Sequence, residues 1–142
     1  MATIRDALKE DSAYINNILR INGQLVEIEE EDYKGFIVAE LEGQVVGCGK
    51  LIDHGDEFEI RNVSVLPEYQ RRGVGKEISR ALLDRAKGRK CWLLSVDSHG
   101  FWEQFGFHVV PEEEEPKEAK EHCQNCRLRQ ECNRVVMFRE EV

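Results

Sequence analysis

The chain lacks any apolar run approaching the roughly 20 residues needed to cross a bilayer. Its opening, Met1-Ala2-Thr3-Ile4-Arg5-Asp6, also lacks the basic-then-apolar layout of a signal peptide. Both absences predict a cytoplasmic protein with no membrane partner. Positive charge is scarce as well: 20 Lys and Arg stand against 28 Asp and Glu, for a formal net charge of -8. That balance excludes non-specific attraction to nucleic acid or anionic lipid as the work of the whole surface, so any anionic ligand must find a local basic island. An even cysteine set is missing too. Two of the five, Cys48 and Cys91, sit inside apolar runs, which suits reduced core thiols better than a secreted disulfide framework.

What is present suffices for one core. Hydrophobic residues make up 41% of 142 residues, with six Phe, three Tyr and two Trp. A single domain over 1–142 is expected, with 111–133 as an acidic connector and Cys-rich tail. Residues 2–5 suggest a short strand, and Asp11 or Ser12 can cap a helix carrying Ile15, Ile18 and Leu19 at helical spacing and ending near Gly23. The acidic piece 26–32 is ambiguous in period and is assigned as helical. Two β-branched runs, 36–41 and 44–52, flank Glu42-Gly43, a hairpin signal, and 57–65 alternates as the next strand of an antiparallel meander.

From Gly73 the period changes from two to helical, with Val74, Ile78, Ala81, Leu82 and Ala86 on one face and Gly88 as the stop. The run 90–96 is an apolar strand, Ser98 can cap a short helix through Phe105, and Gly106 breaks it. Strands follow at 107–110 and 134–138, separated by the acidic connector 111–121 and a cysteine cluster.

The segment Val65-Leu66-Pro67-Glu68-Tyr69-Gln70-Arg71-Arg72-Gly73-Val74-Gly75-Lys76 reads as strand end, Gly-bearing loop and helix start. A first helical turn presents N–H groups without intrahelical partners at the positive end of the macrodipole. Gly73 and Gly75 would let a phosphate approach them, and Arg71, Arg72, Lys76 and Arg80 supply the local charge. Taken alone, G-x-G equally describes a loop with solvated charges. The antiparallel hairpin ahead of it and the lack of a third glycine exclude a dinucleotide fingerprint, and a Walker sequence is absent.

Gln70-Arg71-Arg72-Gly73-Val74-Gly75 resembles the Q/R-x-x-G-x-G/A signature of the GNAT superfamily of acetyl-CoA-dependent N-acyltransferases. Val63-Ser64-Val65-Leu66-Pro67 resembles the family's V-x-P strand end, and Phe101-Trp102-Glu103-Gln104-Phe105-Gly106-Phe107 its F-Y-x-x-x-G-F segment. The resemblance implies an α/β (α+β) fold: a mixed, mostly antiparallel sheet of about six or seven strands, helices on both faces, and a splayed slot between the fourth and fifth strands. It implies acetyl-CoA as acyl donor, its pyrophosphate held by backbone groups of Arg71, Arg72, Gly73, Val74, Gly75 and Lys76. The pantetheine arm would run along Val63, Ser64 and Val65, with the Val65 N–H polarising the thioester carbonyl. The acceptor would be a small-molecule amine, and relatives that dimerise make a homodimer compatible with the pattern.

Direct transfer to an amine needs a base. Many relatives use a Glu near the fourth strand, which corresponds to Glu59, with Glu57 as second choice; the competing reading is a solvent-facing strand carboxylate balanced by Arg61. Trp102 stands where relatives often carry a Tyr acid, and an indole N–H cannot fill that role. Trp102 and Phe105 are then expected in the core or along the cofactor arm. His54 and His99 are read as exposed loop residues.

Cys123, Cys126 and Cys132, with His122 adjacent, form C-x2-C-x5-C. A zinc site short of one ligand, a disulfide and three free thiols remain alternatives. Together with the strand at Glu59 and the Phe101-Trp102 pair, this tail resembles the short N-acetylglutamate synthase-like branch. That resemblance implies acetylation of the α-amino group of glutamate, or of another amino acid, with Arg61, Arg20 or Arg5 as partners for a carboxylate. A non-catalytic acyl-CoA-binding sensor is the alternative from another class.

Overall fold

The computed structural model describes residues 2–24, 28–96, 98–124 and 134–140. Strand pairing follows the order β1-β2-β3-β4-β5-β7-β6, seven strands in a mixed, mostly antiparallel sheet. The chain forms two compact units, one from the residues up to Asp53 with Ile60–Gly88, the other from His54–Glu59 with the chain from Arg89 onward.

In the first unit, β1 (Thr3–Asp6) pairs antiparallel with β2 (Phe36–Leu41), and β2 with β3 (Gln44–Asp53). The β2–β3 turn puts Glu42 and Gly43 at φ 55° and 78°, as the Glu-Gly signal predicted. The helix α1 (Ser12–Ile21) buries Ile15, Ile18 and Leu19 against Phe36, Val38 and Cys48. Its partner α2 (Val74–Ala86) lies over the opposite face of β3, where Gly47 and Gly49 alternate with Cys48. A Cβ at Gly49 would stand 2.9 Å from Ile78 Cγ2 and 3.0 Å from Leu82 Cδ1, so these glycines set how closely α2 seats. Helices on both faces are thus present within this unit.

Asp11 does not cap α1. Its carboxylate accepts the Leu8 N–H at 2.7 Å and two bonds from the Arg5 guanidinium at 2.7 and 3.1 Å, while Arg5 Nε reaches Glu40 at 2.7 Å. Hydrogen bonding from Arg5 holds the Asp11 carboxyl below the usual carboxylate range. The acidic 26–32 piece also differs from expectation. Residues 25–27 lie outside the described residues, and Glu30–Tyr33 form a 3-10 turn in which the Asp32 carboxylate accepts the Glu29 N–H at 3.0 Å.

In the second unit, the start of β4 (Phe58–Val65) pairs parallel with β5 (Cys91–Ser95), in register Phe58↔Cys91 and Glu59↔Trp92. β7 (Val135–Arg139) lies antiparallel to both β5 and β6 (His108–Val110). The short helix α3 (His99–Glu103) follows Ser98, whose hydroxyl meets Ser95 Oγ at 3.0 Å instead of capping the helix. The 111–121 connector is more ordered than its composition suggests. After a 3-10 turn at Glu112–Glu114, α4 (Lys117–Gln124) starts beyond Pro116, whose carbonyl accepts the Ala119 N–H at 3.1 Å. Ala119 is fully buried with Trp92, Val110, Val136 and Phe138. Among the described side chains of α4, Ala119 is the one that seats the helix on that core, a contact that charge patterning does not announce.

Two outcomes follow. Gly49→Ala should lower stability by about 1–3 kcal/mol through overpacking against α2, read as a shifted urea midpoint; an unchanged midpoint would contradict the close seat. Burial pushes the Cys48 thiol up to about 12 and the Cys91 thiol up to about 11. Both should therefore resist iodoacetamide at pH 8 until the protein is unfolded, as mapped by peptide mass spectrometry.

Candidate active site

The loop after β4 leads into α2 through a turn set by local geometry. Pro67–Tyr69 make a 3-10 turn, Arg71 takes φ 66°, and Gly73 takes φ 83° as the residue preceding α2. The first intrahelical bond runs from the Glu77 N–H to the Gly73 carbonyl at 3.0 Å. The N–H groups of Val74, Gly75 and Lys76 therefore have no acceptor within the helix. A Cβ at Gly73 would meet nothing within 4 Å, so it is the left-handed backbone there, not crowding, that calls for glycine. Arg71, Arg72 and Lys76 are exposed around it. Arg72 stacks over the Tyr69 ring at 5.1 Å and lies 3.8 Å from Glu42, which orients a guanidinium that remains half exposed.

The strand end feeding this loop is pinned by side chains. The Val65 carbonyl accepts from Gln70 Nε2 and from Asn22 Nδ2, each at 2.9 Å, and Asn22 Nδ2 also lies 2.5 Å from Ser64 Oγ. The Leu66 N–H bonds the Val46 carbonyl at 2.8 Å. Upstream, within β4, Asn62 takes φ 59°. Sequence reasoning marked Gln70 through its motif but had no signal for Asn22, which is the residue closing α1.

Glu59 belongs to the second unit and is not the solvent-facing carboxylate of the competing reading: it is 1% exposed. Its Oε1 lies 2.9 Å from His54 Nε2, and the His54 ring stacks on Trp92 with centroids 5.7 Å apart and planes 18° apart. His54 is thus a half-buried partner of Glu59, a correction to its expected place as an exposed turn residue. A signal existed: the two residues flank the tight turn joining β3 to β4, closed by the His54 N–H on the Glu57 carbonyl at 3.0 Å, so cross-turn pairing brings them together. Glu57 itself lies outside β4 and is half-buried. Trp92 is fully buried, and its indole Nε1 has no hydrogen-bond acceptor among the described residues.

Trp102 packs in the core, 6% exposed, edge-on to Phe101 and Phe107 at 5.0 and 5.5 Å, with Phe105 at 6.0 Å. Of the arginines suggested for an acceptor carboxylate, Arg5 is committed to Asp11 and Glu40, while Arg20 is exposed and Arg61 half-buried. His99 is half-buried at the start of α3. Cys126 and Cys132 lie outside the described residues, and Cys123 falls within α4. Among the described residues no group of three or more His, Cys, Asp or Glu is arranged to hold a metal. No described helix is long and apolar enough to cross a membrane.

Residues 4–107 match the model of the acetyltransferase (GNAT) family. An uncharacterized N-acetyltransferase of Chlorobaculum tepidum is 29% identical over 113 residues, covering 77% of this chain and 72% of the relative. Among solved structures, the N-acetylglutamate synthase of Neisseria gonorrhoeae, complexed with coenzyme A and N-acetyl-glutamate, superposes with a TM-score of 0.83 at 24% identity, over 100% of this chain and 35% of that one. The chain thus spans about a third of the length of that synthase. Rv2747 of Mycobacterium tuberculosis, in a complex containing CoA, gives a TM-score of 0.82 at 24% identity over 99% of each chain.

Asn22→Ala should cost about 1–2 kcal/mol, because it strips one donor from the Val65 carbonyl and the partner from the buried Ser64 hydroxyl. Chemical denaturation checks this, and a stability equal to the parent chain would contradict the pinning of the β4 end.

Proposed function

The chain belongs to the acetyltransferase (GNAT) family and is an acyltransferase enzyme; from that premise we propose that it carries the acetyl group of acetyl-CoA to a primary amine of a small molecule. We take the α-amino group of glutamate or another amino acid as the first acceptor class. The observation that carries the reading is the opening of α2, where three N–H groups without helical acceptors follow Gly73 beside the exposed Arg71, Arg72 and Lys76. Such an arrangement favours a pyrophosphate, since N–H groups at a helix start act with the macrodipole and without reorganisation.

In this reading the backbone of Arg71–Lys76 holds the pyrophosphate of the donor, and Val63, Ser64 and Val65 line its pantetheine arm. Glu59 removes a proton from the acceptor ammonium. The freed nitrogen lone pair forms the new N–C bond at the thioester carbonyl while the Val65 N–H receives the developing oxyanion, and the C–S bond then breaks. The departing thiolate takes its proton from water or from the nascent ammonium, consistent with Trp102 being built into the core. The buried place of Glu59 on β4 and the imidazole 2.9 Å from its carboxylate support it as the base. The amino-acid acceptor is supported by the N-acetyl-glutamate held by the Neisseria synthase, with which this chain shares its fold. Buried, free Cys48 and Cys91 accord with a reducing compartment such as the cytoplasm.

Thiol release from acetyl-CoA, followed with free amino acids, polyamines and a lysine peptide as acceptors, tests this directly. Turnover should appear with glutamate or another free amino acid; turnover confined to the peptide or the polyamines would contradict the acceptor class. Glu59→Gln should lower kcat by at least about 100-fold with coenzyme A affinity retained. Unchanged turnover in that variant would remove Glu59 as base.

A further inference from the structure

We propose that His54 is the proton exit of Glu59, passing to water the proton that the carboxylate takes from the acceptor amine. The proposal rests on the reading of Glu59 as general base. A base that gains a proton in every cycle must lose it before the next, and the Glu59 side chain, 2% exposed, has almost no water contact of its own. The His54 side chain is 19% exposed, so one residue links a buried carboxyl to solvent. Its Nε2 stands 2.9 Å from Glu59 Oε1, within reach for direct transfer.

The ring is held for that task from two sides. Stacking on Trp92, at 5.7 Å and 18°, fixes the ring plane, and the His54 N–H on the Glu57 carbonyl fixes the backbone of the turn. The register Glu59↔Trp92 places the carboxylate and the stacking surface on paired residues of adjacent strands, so the same ladder positions both partners of His54. Imidazole also has the chemistry a relay requires, since one ring nitrogen can accept while the other donates. In the relay step the Glu59 O–H bond breaks as the His54 Nε2–H bond forms, the imidazolium releases its Nδ1 proton to water, and proton exchange with water returns the ring to the Nδ1–H tautomer that can accept again. Carboxylate and neutral imidazole are regenerated with no other reactant consumed.

The test compares the full chain with its His54→Gln, His54→Ala and Glu59→Gln variants in weakly buffered thiol-release assays, using the acceptor that the parent chain acetylates. Both His54 variants should lose about tenfold or more in kcat with KM for acetyl-CoA unchanged. Added imidazole should restore His54→Ala in a saturable way while leaving the parent chain unaffected. Glutamine keeps an amide donor near Glu59 but cannot relay a proton. Parent-like kcat in His54→Gln, or a His54→Ala defect that imidazole fails to relieve, would therefore overturn the relay and leave His54 as a holding group. These outcomes are distinct from failure of the base itself: a silent Glu59→Gln beside a normal His54→Gln rejects the relay alone, whereas an active Glu59→Gln rejects both.

Discussion

The seat of α2 on β3 is the constraint from which the rest of the first unit follows. Gly47 and Gly49 leave the β3 surface without side chains where Ile78 and Leu82 press against it, with hypothetical Cβ distances of 2.8 and 2.9 Å to Ile78. That contact fixes the helix axis, and with it the direction in which the first turn of α2 aims its N–H groups. The donors at Val74, Gly75 and Lys76 are then held by packing several residues away, so in the proposed function an acidic chain needs no broad basic surface to receive the donor's pyrophosphate. The pinned β4 end acts with the same seat. Asn22 and Gln70 converge on one carbonyl, and the Leu66 N–H returns to β3, so the loop leaves the strand along a defined path.

In the second unit the equivalent constraint is the short parallel ladder at Phe58↔Cys91 and Glu59↔Trp92. It removes Glu59 from water and sets a flat aromatic surface under His54. A buried carboxylate costs free energy unless it is partnered, and the His54 contact meets that need while leaving an acid–base pair in place. Around the ladder the core is built from Trp92, Val110, Ala119, Val136 and Phe138, and α4 joins it by turning Ala119 inward while Lys117, Lys120 and Glu121 stay exposed.

Much of this was legible because local rules and fold agreed. The Glu-Gly turn, the switch from period two to helical period at Gly73, and the glycine-bearing loop each carry their geometry in their residue types, and the strand boundaries followed. The readings that changed depended on tertiary partners. Asp11 reads as a helix cap, yet Arg5, arriving from β1, draws its carboxylate to the turn before α1. His54 sits in a Gly-Asp turn that suggests exposure, and only the cross-turn pairing with a buried Glu59 and the stacking on Trp92 cover it. The 111–121 connector reads as a solvated charge run because one alanine among acidic residues gives no periodic signal, though that alanine is buried in the core beside Trp92 and Phe138. Asn22, whose amide holds the end of β4, was invisible because its partner lies 43 residues away in the chain.

The central claim is that the first turn of α2 binds the pyrophosphate of the acyl donor through its backbone. The most direct measurement is an amide-resolved NMR titration of the protein with coenzyme A and, separately, with pantetheine, which lacks the pyrophosphate. The account predicts saturable shifts of the Gly73, Val74, Gly75 and Lys76 amide signals with coenzyme A and none at those amides with pantetheine. Binding of coenzyme A that leaves these four amides unmoved would contradict it.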